Sequence, residues 1–333
     1  MYSASAPTLE EWRDLYQGSR SFLERRPWDW LSDSQLIAVE EPDTKEVAYC
    51  CILGAGGMQY GLLAYRGTTG IQSYAMLANG ALDEDEALLV ADCLNFYLGD
   101  REMLLPEDRE VHKALNLRFR GRGAWPIFRS NRPGFLPVLP TGQEARFLSA
   151  CLEQTCALIQ EASSGLPLPK LPSGSALIAR RRNRNGNWET TSLPLPPLSS
   201  TPPLEVDELR LQRLRRELPR ARQTWEAAVQ VVAPIAEKGA APYWAWLLMC
   251  VDQKTGFILA ANVIGPEATV QGQLLSTVEL AGLLPEEIRV TSGLLESQLT
   301  PIAGVLGIKL RRAKRLRELE RASKSMKGAF GGP

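Results

Sequence analysis

One histidine, His112, serves a chain of 333 residues. Imidazole is the side chain best suited to trading protons near neutral pH, so its scarcity excludes most general-base and imidazole–metal chemistry. A Ser-His-Asp triad would have to use His112, which stands in a charged stretch, residues 106–116. Cysteine is also sparse. Cys50, Cys51, Cys93, Cys151, Cys156 and Cys250 all lie in apolar segments and none has CxxC spacing. The spacing of a zinc site is therefore missing, and the thiols read as buried and free, as in a reducing cytoplasm. No GxSxG, P-loop or HExxH motif is present. No uninterrupted apolar run reaches the roughly 18 residues of a membrane span, and the longest, residues 240–251, reads as a buried strand. The start, MYSASAPTLEEWRDLY, lacks the basic and apolar regions of a secretory leader. Net charge is lacking too: 38 Lys and Arg balance 38 Asp and Glu, so no global field draws a polyanion and any such role needs local segregation.

The chain does contain a succession of recognisable elements. Residues 8–31 read as a helix. Thr8 and Glu11 have capping-box spacing, and Trp12, Leu15, Tyr16, Ser19 and Phe22 share a face. Pro27 interrupts it, and Trp28 and Trp30 are expected to pin it to a core. Residues 36–39, 47–53 and 59–65 read as strands, the first two joined by the polar turn EEPDTKE. Gly54-Ala55-Gly56-Gly57 precedes another β segment rather than a helix, so it reads as a hairpin and not as a phosphate cradle. Residues 66–70 read as a turn, 71–77 as helix and 88–97 as strand. The run Asp83-Glu84-Asp85-Glu86 lacks the ligand spacing of a calcium loop and reads as a solvated helix start. Residues 106–116 and 143–162 read as helices, the second with Phe147, Leu148, Cys151, Leu152, Thr155, Cys156 and Ile159 at three- and four-residue steps.

Residues 163–203 break the composition, with Pro167, Pro169, Pro172, Pro194, Pro196, Pro197, Pro202 and Pro203, and read as an extended connection. Within it, SALIARRRNRNGNWETT has the turn chemistry of a small hairpin at Asn185-Gly186. Residues 206–222 read as a basic helix. The chain then runs strand (226–232), a turn at Gly239 to Pro242, strand (243–251), strand (257–264), helix (269–283), strand (288–290), helix (294–306), strand (308–310) and a basic helix (314–326). Gly282 and Gly307 stand where helix C-caps belong. An antiparallel meander followed by βαβ steps predicts a mixed sheet covered by helices.

That order resembles the ribonuclease H-like fold, with a local echo of integrase cores in Val251-Asp252-Gln253-Lys254-Thr255-Gly256-Phe257-Ile258. Two further pieces resemble an uncharacterised bacterial two-domain family of cyanobacterial type: the stretch around Trp28-Asp29-Trp30 with Ala48 to Gly54, and Pro242 to Val263. The ribonuclease H resemblance implies carboxylates in the middle of the first strand, at the end of the fourth and on a late helix, together holding two divalent cations. Here the middle of the first strand reads Val229-Gln230-Val231 with Glu226 near its start, the fourth ends in Thr291-Ser292-Gly293, and Glu318 and Glu320 stand on the last helix. Neutral side chains do not neutralise two cations, so the resemblance implies a degenerate domain. The alternative is a nuclease with rearranged ligands, with Asp252, Glu226 and Glu318 or Glu320 as catalytic candidates.

Arg180, Arg181, Arg182 and Arg184 make the small hairpin a candidate anion surface, read in the first place as a solvated linker, and two further basic surfaces stand out. Residues 308–327 hold nine Lys or Arg against Glu318 and Glu320, with Arg311, Arg312, Lys314 and Arg315 as nucleic-acid candidates. This segment equally suits an acidic partner, or neutralisation of residues 83–110, where ten carboxylates face Arg101 and Arg109. The second surface, residues 117–140, alternates Arg118, Arg120, Arg122, Arg129 and Arg132 with Phe119, Trp125, Phe128 and Phe135. Interleaved arginine and aromatics suit single-stranded nucleic acid, but the favoured reading is an irregular Pro-rich segment packed over a sheet, with arginine stems lying on aromatics.

The expectation is a cytoplasmic protein of α/β and α+β class: an α+β domain at 1–162, a Pro-rich connection at 163–207, a ribonuclease H-like mixed sheet with covering helices at 208–327 and a disordered tail at 328–333. It is expected to bind or scaffold rather than catalyse. No metal, cofactor or membrane is expected, and nucleic acid, a protein partner or a second copy remain open as partners.

Overall fold

Thr8 begins the first helix as the spacing requires. Its hydroxyl accepts the Glu11 N–H, Glu11 accepts the Thr8 N–H, and α1 runs Leu9–Arg25. The computed structural model describes residues 5–82, 84–165, 176–197, 206–237 and 240–330. The stretches around Pro167, Pro169 and Pro172 and around Pro202 and Pro203, together with Asp83, Gly239 and the last three tail residues, lie outside them. Two compact units result. One comprises Met1–Ala75, Ala91–Arg132 and Pro137–Leu198; the other Met76–Val90, Pro133–Leu136 and Ser199–Pro333.

In the first unit, β1 (Ile37–Glu40), β2 (Val47–Leu53) and β3 (Gly61–Arg66) form a meander. Next come α2 (Gly67–Ala78), then α3 (Glu84–Val90) in the other unit, β4 (Cys93–Gly99), α4 (Pro106–Ala114), β5 (Trp125–Asn131) and α5 (Gly142–Ser163). The hairpin expected at Asn185-Gly186 is present as β6 (Ala176–Arg182) and β7 (Trp188–Pro194), with Gly186 at φ 80°. Among the described residues the sheet order is β5-β4-β3-β2-β1-β6-β7, antiparallel except where β6 joins β1 in parallel. This hairpin, expected within an extended connection, is instead part of the first sheet, joined to it through β1 and β6.

Alternation along β2 shows why this sheet reads as nearly all apolar. Cys50 and Ile52 face α1 and α5 with Leu15, Phe22, Leu148 and Leu152; Tyr49 and Cys51 face the other side with Tyr65 and Ile71. Both faces are covered, so polar alternation is lost. Trp28 packs on Phe22 and Tyr60 as expected, whereas Trp30 is exposed.

Three local readings are corrected. Residues 67–70 open α2 rather than forming a turn. Leu88 to Val90 are helical and β4 starts at Cys93, because a short apolar run does not distinguish strand from buried helix. Glu86 of α3 is buried, not solvated.

In the second unit α6 (Glu208–Glu217) stops before Pro219, and β8 (Arg220–Ile235) begins at once, so residues 220–222 belong to a strand. There follow β9 (Tyr243–Asp252), β10 (Ile258–Ile264), α7 (Val270–Ala281), β11 (Leu284–Val290), α8 (Gly293–Leu306), β12 (Lys309–Arg312) and α9 (Arg317–Phe330). Gly282 and Gly307 take left-handed C-cap conformations at φ 68° and 67°. The sheet order is β10-β9-β8-β11-β12; the first three strands are antiparallel and the last three parallel, a mixed sheet. Helices α6, α7 and α8 pack on one face around Trp225, Trp246, Leu275 and Leu299. On the other face Leu316, just before α9, and Leu319 and Ala322 of α9 pack onto Met249 and Val251. Residues 328–330 end α9, although the sequence placed them in a disordered tail. All six cysteines are free and buried. Among the described residues no helix is long and apolar enough to cross a membrane.

Candidate functional site

The Arg–aromatic segment is split by the fold. Arg129 lies on β5 with its side chain buried. Its two terminal nitrogens donate to Asp108 at 2.9 and 2.6 Å, and Asp108 also accepts the Leu105 N–H at the start of α4. Arg132 donates to Glu144 at 3.0 Å. Both are structural, and that removes them from the candidate surface.

Arg118, Arg120 and Arg122 remain outside, on the loop between α4 and β5. Asn116, Gly121 and Gly123 take positive φ there, bending the loop back so that Gly123 donates to Asp100 at 2.6 Å and Trp125 Nε1 to the Gly121 carbonyl at 3.1 Å. Phe119, between two outward arginines, turns inward against Tyr16, His112 and Trp125, at centroid distances of 6.1, 5.1 and 5.8 Å. The result is a groove of about 910 Å³ with an aromatic floor and arginine walls. Arg101 and Arg109 join the walls, and the Arg101 guanidinium lies 5.9 Å from the Trp125 ring centre. Arg101, Arg109, Arg118 and Arg120 have no carboxylate partner among the described residues, and Arg122 meets Asp100 at 3.4 Å while 94% exposed. Five guanidinium groups thus converge where only Asp100 and Glu102 oppose them. Arg101 and Arg109 were missed because they stand in an acidic window of the sequence, and only the tertiary fold brings them to the loop.

His112 sits under this floor. Its ring stacks on Trp125 at 6.0 Å, it is 6% exposed, and its Nε2 has no partner among the described residues. Burial lowers its pKa, more strongly than the nearby Asp108 raises it. The folded state therefore disfavours His112 protonation. The stabilisation is complete above the unfolded value of about 6.5 and is lost as pH falls below it. His112→Phe keeps the ring stack and removes the proton site, so it is expected to flatten the fall in thermal midpoint between pH 7.5 and 5.5. An unchanged slope would place the titrating group elsewhere.

The C-terminal candidates are placed differently from their reading as a basic helix. Arg311 and Arg312 lie on β12, Lys314 and Arg315 in the turn before α9. Arg311 pairs with Glu287 at 3.2 Å, Arg312 donates to the Thr291 carbonyl at 3.1 Å, and Arg315 pairs with Glu320 at 2.6 Å. Lys309 and Arg321 pair with Glu286 and Glu318. Within the acidic stretch, Asp92 pairs with Arg66 and Asp108 with Arg129, so both carboxylates have partners other than this basic segment.

The carboxylate candidates are not brought together. Asp252 is opposite Trp225 and Glu226 opposite Val251 in the β8–β9 register. Trp225 faces α6–α8 and Val251 faces α9, so Asp252 and Glu226 lie on opposite faces of the sheet. Asp252 closes its turn by accepting the Thr255 N–H and hydroxyl at 2.8 and 2.6 Å, and its second oxygen is buried without a partner among the described residues. Glu226 is buried in mid-strand, accepting the Leu319 N–H in the first turn of α9 at 2.9 Å and the Gln253 amide at 3.3 Å. A negative charge at a helix N-terminus is stabilising, so Glu226 anchors α9. Glu318 pairs with Arg321 at 2.8 Å. Among the described residues no group of three or more His, Cys, Asp or Glu is placed to hold a metal ion. Glu226→Leu would orphan the buried Leu319 N–H and is expected to cost about 1–3 kcal/mol, with proteolysis appearing first within α9. Unchanged stability would show that α9 is held by packing alone.

Two family models match separate parts of the chain. A family model described as a domain of unknown function, DUF6930, matches residues 210–327, from α6 into α9. No curated protein matches the chain. A second model, also described as a domain of unknown function, matches residues 12–178, which include every wall and floor residue of the arginine groove. The chain belongs to this second family, DUF7309.

Proposed function

We propose that the chain is a non-catalytic binding protein of the cytoplasm and that its first unit takes up single-stranded nucleic acid in the groove above His112. The observation that carries this reading is the set of four arginines without carboxylate partners, lining one groove with Phe119 and Trp125. Guanidinium groups hold phosphates without regard to sequence, and aromatic faces accept bases of any kind. A duplex would offer the phosphates but not the bases. The six free, buried thiols fit a reducing compartment.

We read the second unit as a degenerate ribonuclease H-like domain. Its support is the order of elements: a three-stranded antiparallel meander, then two parallel strands each reached through a helix. The end of β11 offers Ser292, which caps α8, and the middle of β8 offers Glu226, which α9 uses. A nuclease with Asp252, Glu226 and Glu318 would need all three around shared ions, and opposite faces of a sheet do not provide that.

Fluorescence anisotropy with labelled single-stranded DNA and RNA and with duplex, across a salt series, tests the binding role. Binding is expected at micromolar concentration, tighter for single strands, weakening as salt rises. Lys314→Ser/Arg315→Ser should leave it intact. Loss of binding in that variant would move the contact to the C-terminal segment. No binding at low salt would leave a protein-interaction module.

A further inference from the structure

A second cavity lies against the other sheet. β8 and β11 run side by side in parallel, paired from Arg220 with Leu284 to Glu226 with Arg289. From β8 the chain passes to β9 on one side; from β11 it passes through α8 to β12 on the other. Adjacent parallel strands with diverging onward connections leave a crevice outside their carboxyl ends, where open α/β sheets hold ligands. β8 continues to Ile235, paired with β9 on one edge, while β11 stops at Val290, so the crevice is flanked by the β8 edge that β11 leaves open.

A cavity of about 260 Å³ occupies this position, lined only by residues of the second unit. Val229, Trp246 and Leu294 are among its apolar walls; Glu86, Gln271 and Gln298 are its longer polar groups. Glu86, from α3, accepts a hydrogen bond from the Ser292 hydroxyl at the start of α8, so its carboxylate is fixed in place. Gln298 has no hydrogen-bond partner among the described residues, so its amide is available to a ligand.

The lining defines the ligand's chemistry. No lysine, arginine or histidine is present and one carboxylate is, so an anion is disfavoured. The volume falls just below the roughly 300–1,000 Å³ of pockets for drug-sized molecules, which limits the occupant to a fragment. Gln271 already has a partner, so the readers are the Gln298 amide and the Glu86 carboxylate between apolar walls; proteins read base edges with these groups, glutamine pairing with the adjacent amino group and ring nitrogen of adenine and glutamate accepting from the amino group of cytosine. We propose that this cavity binds a free nucleobase carrying an exocyclic amino group, adenine or cytosine. The proposal is independent of the groove in the first unit.

Isothermal titration of the full chain with adenine, cytosine, uracil, benzylamine and benzoate is the test. An amino base is expected to bind at least ten-fold more tightly than uracil, benzylamine or benzoate. Gln298→Leu, half-buried on α8, should weaken it ten-fold or more with an unchanged melting temperature; Val229→Phe, which fills the cavity, should do the same. Arg118→Ala/Arg120→Ala should leave it unchanged. The proposal is overturned if neither amino base binds at millimolar concentration, if benzylamine binds as well, or if folded Gln298→Leu keeps full affinity.

Discussion

Arg66→Met is expected to destabilise the chain by about 3–5 kcal/mol, the range for removing one partner of a buried ion pair. Arg66 ends β3 and is 8% exposed. It donates to Asp92 and Glu144 at 2.6 Å each and to the Asn131 carbonyl at 2.6 Å. Methionine matches the aliphatic stem and offers none of these bonds, so the buried Glu144 carboxylate and the half-buried Asp92 carboxylate are left beside a neutral side chain. Glu144 also closes the capping box of α5 with Thr141, so the loss spreads to the helix across the core. Burial opposes ionisation of Glu144, but the Thr141 N–H, the charge of Arg66 and hydrogen bonds from Arg132 and Ser130 outweigh it and hold its pKa at about 2. The sign follows from linkage. Stability from Glu144 is present above the unfolded value of about 4.3 and is lost as pH falls from there toward 2. Urea unfolding at pH 7 and pH 3 checks both parts: the gap between wild type and variant should be largest at pH 7 and narrow at pH 3. A pH 7 gap below about 1 kcal/mol would show that the cluster is solvated.

Arg118→Glu/Arg120→Glu is expected to abolish single-strand binding at physiological salt without altering the fold. Both side chains are exposed on the loop after α4 and hold no ion pair among the described residues, so their reversal costs little stability. In the groove it replaces two phosphate contacts with two repulsive charges. Each phosphate contact to a single strand contributes about 0.7 to the slope of log affinity against log salt. The milder Arg118→Ala/Arg120→Ala should therefore reduce the slope by about 1.4 and weaken DNA and RNA alike. A change in affinity with the slope unaltered would mean these arginines act on the loop and not on phosphate.

What the sequence disclosed follows the range of the forces involved. Thr8 with Glu11, the Asn185-Gly186 turn and the glycines at 282 and 307 act within a few residues, and all were legible. The meander of β8, β9 and β10 was legible because apolar runs are bounded by strong turns. The starts of α2 and β8 were hidden, the first behind a Gly-Thr-Thr-Gly stretch that favours turns, the second within a basic run, residues 206–222, that read as one helix across Pro219. Of the groove, the sequence showed one wall. Arg118, Arg120 and Arg122 announce themselves among aromatics, whereas Arg101 and Arg109 are recruited from an acidic window by the packing of β4 and α4. Arg129 was misplaced on the surface. Its position within Phe128-Arg129-Ser130 on a strand buried on both faces was the available signal, and its partner Asp108 lies 21 residues away. The separation of Asp252 from Glu226 depends on cross-strand register, which composition does not encode.

Ultraviolet cross-linking of the full chain to a short labelled RNA, with the adducts mapped by mass spectrometry, tests the central claim most directly. The groove account predicts adducts on the peptide carrying Phe119 and Trp125, competed away by unlabelled single strands and lost in Arg118→Glu/Arg120→Glu. Adducts confined to residues 309–326, or none under conditions where anisotropy shows binding, would contradict it.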